Sequence, residues 1–569
     1  MIERSRRDLM HISAATLASI GAASQVASTP RASVNHDGAV RSVGSRAELA
    51  RLSTVLPGDV VVLCEAGLEG LFQCREDALP ADADPLHGLH LPAAQRDWHF
   101  ARLWDGIAGR PEWFGAVPDS PRHDCAAAIE ACYALCPVTE LAERDYHIAR
   151  TLRLDRSWRT VRGVGGYATA VGEGTRIILS ADAPHGATDD VVHVGGVARA
   201  VSEAAMVTEI HLSNCTLLRA ARCAPHPSGD IGRYPTGLRV TFVLRCTFTA
   251  VAVLESSVGF HLAGVVYTKL DDCFARRREA GTGGGSDRWV GYYLNGHVSF
   301  GYAGGNASLY LNGCLAADQN PAHVDPVALL AKGAFVDSFI DRFESARIAT
   351  GMRFAVDGAR GYSQTIDLHV RSPVLDGCSA IGIDIDLDAT SSASIEILDP
   401  YIAAGGVGDA GIAVHDGAGL TTITGGQIHG DFRRGSIFLD RTFGVRVSGT
   451  KIHNSRRPVV VGEAGGLVLE PQILNYQHSS DSFAVDCARL TRSVVRPVIL
   501  GASGPAFRGG VRLGSGCRFC EVGTSTIDPN CFTVPDPRFI LWFGDADARG
   551  GPALAAFERL GNRQTGAIG

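Results

Sequence analysis

Aromatic side chains make up only 7% of the 569 residues, and there are just 4 methionines. Lysine is scarcer still: almost all of the 53 basic residues are arginines. Charge of one sign does not dominate, since 60 acids against 53 bases leave a formal charge of −7 over a long chain. That balance offers no basic groove, so nucleic acid is excluded as a partner. No stretch of eighteen residues runs free of charged or polar groups, so no stable membrane span is expected. The 67 glycines keep no period of three, which excludes collagen. The 15 cysteines include a lone Cys517-x-x-Cys520, with no second pair or histidine cluster to complete a zinc site.

What is present is glycine, valine, isoleucine, leucine and threonine in short runs, a composition suited to many short strands broken by tight turns. Arginine as the main cation offers a planar fork suited to carboxylates, an acidic sugar among them, although coding bias explains the preference equally well. Cys215, Cys246, Cys273, Cys314 and Cys378 sit inside apolar runs. Buried thiols packed as small apolar groups are the first reading and disulfides the second.

Residues 1–28 have the form of an export signal: Arg6-Arg7, a short apolar stretch from Ile12 to Ala23, then Ala27-Ser28. The paired arginines point to the twin-arginine route and a periplasmic or secreted protein. Residues 45–110 form a small head. Ser45 and Glu48 have capping-box spacing for a helix reaching Leu56, and Val60–Leu63, Phe72–Arg75 and Trp98–Leu103 read as strands. In residues 111–150, Trp113-Phe-Gly-Ala116 leads through a loop with Asp119 and Asp124 to an alanine-rich helix over 123–133. Asp124 can accept first-turn N–H groups, and Ala126, Ile129, Cys132 and Tyr133 form one apolar stripe. Over 151–533 a glycine before an alternating apolar triplet recurs: Gly237-Leu-Arg-Val240, Gly259-Phe-His-Leu262, Gly351-Met-Arg-Phe354, Gly382-Ile-Asp-Ile385, Gly411-Ile-Ala-Val414, Gly444-Val-Arg-Val447 and Gly510-Val-Arg-Leu513. Residues 534–569, with an apolar run ending at Phe543 and a short helix over 553–560, read as a C-terminal cap or contact segment.

The stretch from Trp113 to Ile129, followed by Tyr146-His-Ile148 and Val161-Arg-Gly-Val-Gly-Gly166, resembles the opening of the pectate-lyase-like superfamily that includes phage tailspikes. Gly58-Asp-Val-Val-Val62 and Gly70-Leu-Phe72 resemble the head that often precedes that fold. The resemblance implies an all-β chain: a right-handed single-stranded parallel β-helix with a small N-terminal head and a helix capping its open end. It also implies a homo-oligomer, with a trimer favoured, and a polysaccharide or oligosaccharide as partner. Hydrolases, lyases and intramolecular transferases all occur on that fold, and a non-catalytic glycan-binding protein is the alternative.

Carboxylate acid/base chemistry needs two carboxyl groups in one groove. Asp337, Asp341 and Glu344 lie within eight residues, with Arg342 between the last two, and a bend there would bring Asp341 and Glu344 together. Asp272 is a further candidate acid, followed by Arg276 as an anion-binding group. Trp289, Tyr292, Tyr293 and Tyr302 form the densest aromatic patch, with His297 among them, and are expected to contact sugar, a subunit contact being the equal alternative. No cofactor is expected. Asp384-x-Asp386-x-Asp388 offers alternate carboxylates for calcium but lacks the glycine and glutamate of an EF-hand.

Overall fold

The computed structural model describes residues 41–565 except 81–83, 96, 168–172, 197–204, 222, 224–228, 278–287, 297–304, 319–324, 356–364, 388–391, 476–482, 502–506, 508, 524–525, 528–540, 544–545 and 548–550. The chain forms two compact units that divide between Asp105 and Gly106.

The first unit is a five-stranded sheet with one helix. Strands β1 (Arg41–Val43), β2 (Val60–Leu63), β3 (Gly70–Arg75), β4 (His90–Pro92) and β5 (His99–Arg102) stand in the order β1-β2-β3-β5-β4. Helix α1 (Arg46–Arg51) starts at Ser45, whose side chain accepts from Glu48 N. The Glu48 carboxylate reaches back to Gly44 N at 2.8 Å, one residue beyond the usual capping-box partner. Leu49, Val61, Leu63, Phe72 and Phe100 make its core.

The second unit is a right-handed parallel β-helix. Before it comes helix α2 (Ala126–Leu135), which buries Ala126, Ile129, Cys132 and Tyr133 against the first coil. Asp124 Oδ1 accepts from Ala126 N and Ala149 N, both at 3.0 Å, so it joins helix start to coil. Asp119 accepts from Asp145 N and pairs with Arg144 at 3.0 Å. Both aspartates are therefore structural.

Each coil carries three strands, exemplified by Ile381–Asp386 on the first face, Ser392–Leu398 on the second and the start of Tyr401–Thr424 on the third. Neighbouring coils stack in register, as in Leu238↔Phe260, Met352↔Ile383 and Ile383↔Ile412. The recurrent glycines mark a tight approach inside this stack. A Cβ at Gly382 would stand 2.5 Å from Gly411 O and 2.5 Å from Ile402 Cγ2. Gly444 departs from the pattern: Val445 pairs with Thr421 on the second face, and the glycine turns the chain at φ 80°.

Corners between faces use single left-handed residues. Ala250, Asp272, Gly313, Arg342, Ser372, Asp399 and Gly425 all have φ between 48° and 68°. From Asp272 onward, each corner amide bonds to a carbonyl of the next coil. The residue after the corner points inward, which buries Val251, Cys273, Cys314 and Phe343. Cys215, Cys246 and Cys378 are also buried, and no described cysteine is in a disulfide. Desolvation raises the Cys215 thiol to about 12, as expected of a packing group rather than a nucleophile. Near the C-terminus, Leu541–Phe543 is a strand and α3 spans Gly551–Arg559.

Candidate functional site

The expected acids do not converge. Asp337 and Arg342 occupy corners, with φ of 46° and 50°, at the two ends of a second-face segment. Between them Phe339 and Asp341 point outward. Beyond Arg342, Phe343 turns inward and Glu344 points outward from the third face. Asp341 stacks with Asn312 and Arg371, whereas Glu344 stacks with Leu315 and Val374. The left-handed corner thus sends the two carboxylates to different faces. Asp272 holds a corner as well, and Arg276 shares the Glu344 face through its pairing with Ala317. Arg342 Nη2 donates to Asn312 Oδ1 at 2.6 Å, and its Nε lies 3.8 Å from Asp341 Oδ2.

The expected sugar-stacking residues are mostly buried. Trp289, Tyr292 and Tyr293 are 1%, 0% and 4% exposed, so none offers a ring face to a glycan. Tyr292 points inward, stacks on Phe260 at 4.7 Å and donates its hydroxyl to Cys273 O. Tyr293 points outward but packs beneath Ile231 and Tyr234. The hydrophobic core and a covering loop claimed these rings. His297 and Tyr302 lie outside the described residues, as does the glycine-rich run 281–287. Beside Asp341, Tyr310, Phe339 and His369 stack in a column, at 5.4 and 4.8 Å, so their faces meet one another and their edges meet solvent.

A different set of groups converges farther along, on the first face and its corner with the second. Asp384 is 3% exposed although it points outward. It accepts from Arg353 Nε at 2.7 Å and lies 2.8 Å from His415 Nε2. The other imidazole nitrogen, Nδ1, lies 3.6 Å from Asp386 and 3.3 Å from Asp416. Asp416 and Arg441 are corner residues of successive coils, with φ of 58° and 47°. Arg441 holds both oxygens of Asp416, with Nη2 to Oδ2 at 2.7 Å.

Electrostatics follow from this geometry. The Asp384 hydrogen bond raises the His415 pKa above its ordinary value against the opposing effect of burial. Burial pushes Asp384 up, yet His415 and Arg353 outweigh it and hold the carboxyl low. Arg441 likewise lowers Asp416. Atoms of Asp386, His415 and Asp416 lie within 4.8 Å of one another, close enough to share one cation. Arg441 already satisfies Asp416, however, and three carboxylates surround the imidazole, so an imidazolium fits this set better than a metal ion. Asp384, engaged with Arg353 and His415, does not face the same point as Asp386; Asp388 lies outside the described residues.

A groove of about 490 Å³ opens next to this cluster. Arg441, Thr442, Phe443, Glu463, Arg489 and Thr491 line it over Gly417, Gly465 and Gly516. Phe443 is 57% exposed. Its ring rests on bare backbone: a Cβ at Gly466 would stand 2.9 Å from Cζ, and one at Gly465 would stand 3.2 Å from Cδ2. Arg489 faces Glu463 at 3.3 Å, and Asp440 Oδ1 accepts from Glu463 N. Sequence reading missed this site because its parts come from separate coils. The available signal was polar pairs at coil spacing: Asp384 and Asp386, His415-Asp416, then Asp440-Arg441 before Phe443-Gly444.

No protein-family profile matches the chain, and no curated protein matches it significantly. Solved structures do. A mutant tailspike of E. coli bacteriophage HK620 in complex with hexasaccharide aligns with TM-score 0.56 and 11% identity over 76% of both chains. A second mutant, in complex with pentasaccharide, gives 0.57 and 11% over 76% of both. The HK620 tailspike in complex with pentasaccharide gives 0.53 and 9% over the same shares. At such identities the likeness is one of architecture, and it places this chain among tailspike-like parallel β-helices by fold.

Proposed function

We propose that this chain is a carbohydrate-active enzyme that cleaves or rearranges a polysaccharide or oligosaccharide by acid/base chemistry. One observation carries the reading: two carboxylates and an imidazole converge beside an open groove with an exposed aromatic ring. In this reading the His415 imidazolium, held by buried Asp384, donates a proton to the leaving oxygen. Asp386, half exposed and with no arginine ion-paired to it among the described residues, acts as base or nucleophile. Asp416, kept anionic by Arg441, stabilises developing positive charge. Solved tailspikes of the same fold bind a hexasaccharide and a pentasaccharide, which supports a glycan as ligand. Export through residues 1–28 and side-by-side trimerisation belong to the same proposal.

The test is a glycan panel read by mass spectrometry. New reducing ends mark hydrolysis, unsaturated products elimination and cyclic products transfer. On the responding glycan, Asp386→Asn and His415→Ala are expected to lower turnover about 100-fold or more, while Asp341→Asn leaves it unchanged. The reverse pattern would move the chemistry to the second face. One observation favours a non-catalytic glycan-binding protein instead: Arg441 occupies both oxygens of Asp416. Binding without any product would establish that reading.

A further inference from the structure

We propose that Phe443 is a stacking platform for a neutral pyranose, with Arg489 and Glu463 as the hydroxyl-reading pair. This rests on the glycan reading above and names the class of sugar. A ligand site pairs apolar surface with a few placed polar groups. Here the apolar surface is one ring. Gly465 and Gly466 support it from below, and Gly466, at φ 62°, both leaves the space and adopts a backbone that other residues resist. The ring's electron-rich face attracts the polarised C–H groups on the flat side of a pyranose.

The polar groups decide the class. Arg441 is engaged by Asp416, which leaves Arg489 as the more available guanidinium. Arg489 and Glu463 are 69% and 58% exposed at the side chain, and an exposed pair of this kind holds its partners weakly. Glu463 accepts from a hydroxyl and Arg489 donates to one, so together they serve both directions of a sugar O–H. A uronate in the same place would meet Glu463, with Asp440 and Asp416 close behind. The mixed signs therefore select an uncharged ring and turn away the acidic sugar that an arginine-rich composition suggests.

The full chain would be tested on an array of neutral-hexose, N-acetylhexosamine and uronate oligosaccharides, then by calorimetry with the best-bound one. Neutral probes are expected to bind. F443A is expected to weaken binding about 10-fold or more and F443W to retain it, because the loss is of ring surface. E463Q is expected to improve uronate binding relative to neutral. Stronger wild-type binding to uronates than to neutral probes, or unchanged binding and KM in F443A, would overturn the platform while leaving the glycan reading intact. A changed mass by light scattering in F443A would make the ring a subunit contact and also overturn it. Absence of both binding and product on every probe would instead defeat the glycan reading itself.

Discussion

At the scale of single residues, Asp384 shows how an outward position becomes a buried one. Alternation along Ile383, Asp384, Ile385 and Asp386 points the aspartates away from the core, yet Arg353 and His415 from neighbouring coils enclose the first of them. The consequence is a pH signature. His415 has a raised pKa, so its contribution to stability is present below the ordinary imidazole value of 6.5 and is lost as pH rises through the raised one. Asp384 has a lowered pKa, so its contribution is present above the ordinary carboxylate value of 3.8 and is lost as pH falls through the lowered one. Between those limits the pair stabilises the coil stack. Thermal melts from about pH 5 to about pH 9 should show His415→Asn less stable than wild type at the acidic end, with the difference closing as pH rises. A difference that stays constant across the range would contradict the linkage. Gly382 gives a second test at this scale. Gly382→Ala places a methyl group 2.5 Å from Gly411 O, and overpacking should cost about 1–3 kcal/mol, measured by denaturant unfolding.

At the scale of strands and corners, in-register stacking explains the arginine preference. Equivalent positions of adjacent coils face each other, so like charges would repel, and the chain alternates arginine with carboxylate instead. Arg176 pairs with Asp145, Arg353 with Asp384 and Arg512 with Asp486, each directly across one coil step. The planar fork spans both oxygens in the first and third cases, a geometry that lysine cannot copy. Because Arg176 and Asp145 are both buried, Arg176→Lys should lower stability by about 1–3 kcal/mol, and removing the charge with Arg176→Met by more. Equal stability in the lysine variant would show that charge alone suffices there. The helix α2 was legible in advance because its apolar stripe and the bond from Ala126 N to Asp124 are local, whereas the second bond, from Ala149 N, was not. The fate of Asp341 and Glu344 was not, since one left-handed residue between them decides which face each acid joins.

At the scale of the whole molecule, long coil faces carry scattered exposed apolar groups, among them Val407, Leu420 and Phe519. Symmetric association is the usual way to cover such surface. Light scattering at micromolar concentration should give a mass near three times 60.0 kDa, and a mass near 60.0 kDa would reject the trimer.

The sequence by itself determined the coil. Glycine before an apolar triplet at coil spacing, the absence of long amphipathic helices and the local chemistry of the capping helix specify a parallel β-helix because each signal lies within a few residues. It also identified the buried thiols, which sit in apolar runs. Tertiary structure alone decided which outward groups meet. Loops of variable length lie between strands, so the register joining Asp384 to His415, or Phe443 to Gly466, depends on insertions whose effect no local pattern reveals. For the same reason the aromatic patch at 289–293 looked exposed by composition and is buried in fact: the interior took Tyr292, and a loop some sixty residues upstream covered Tyr293.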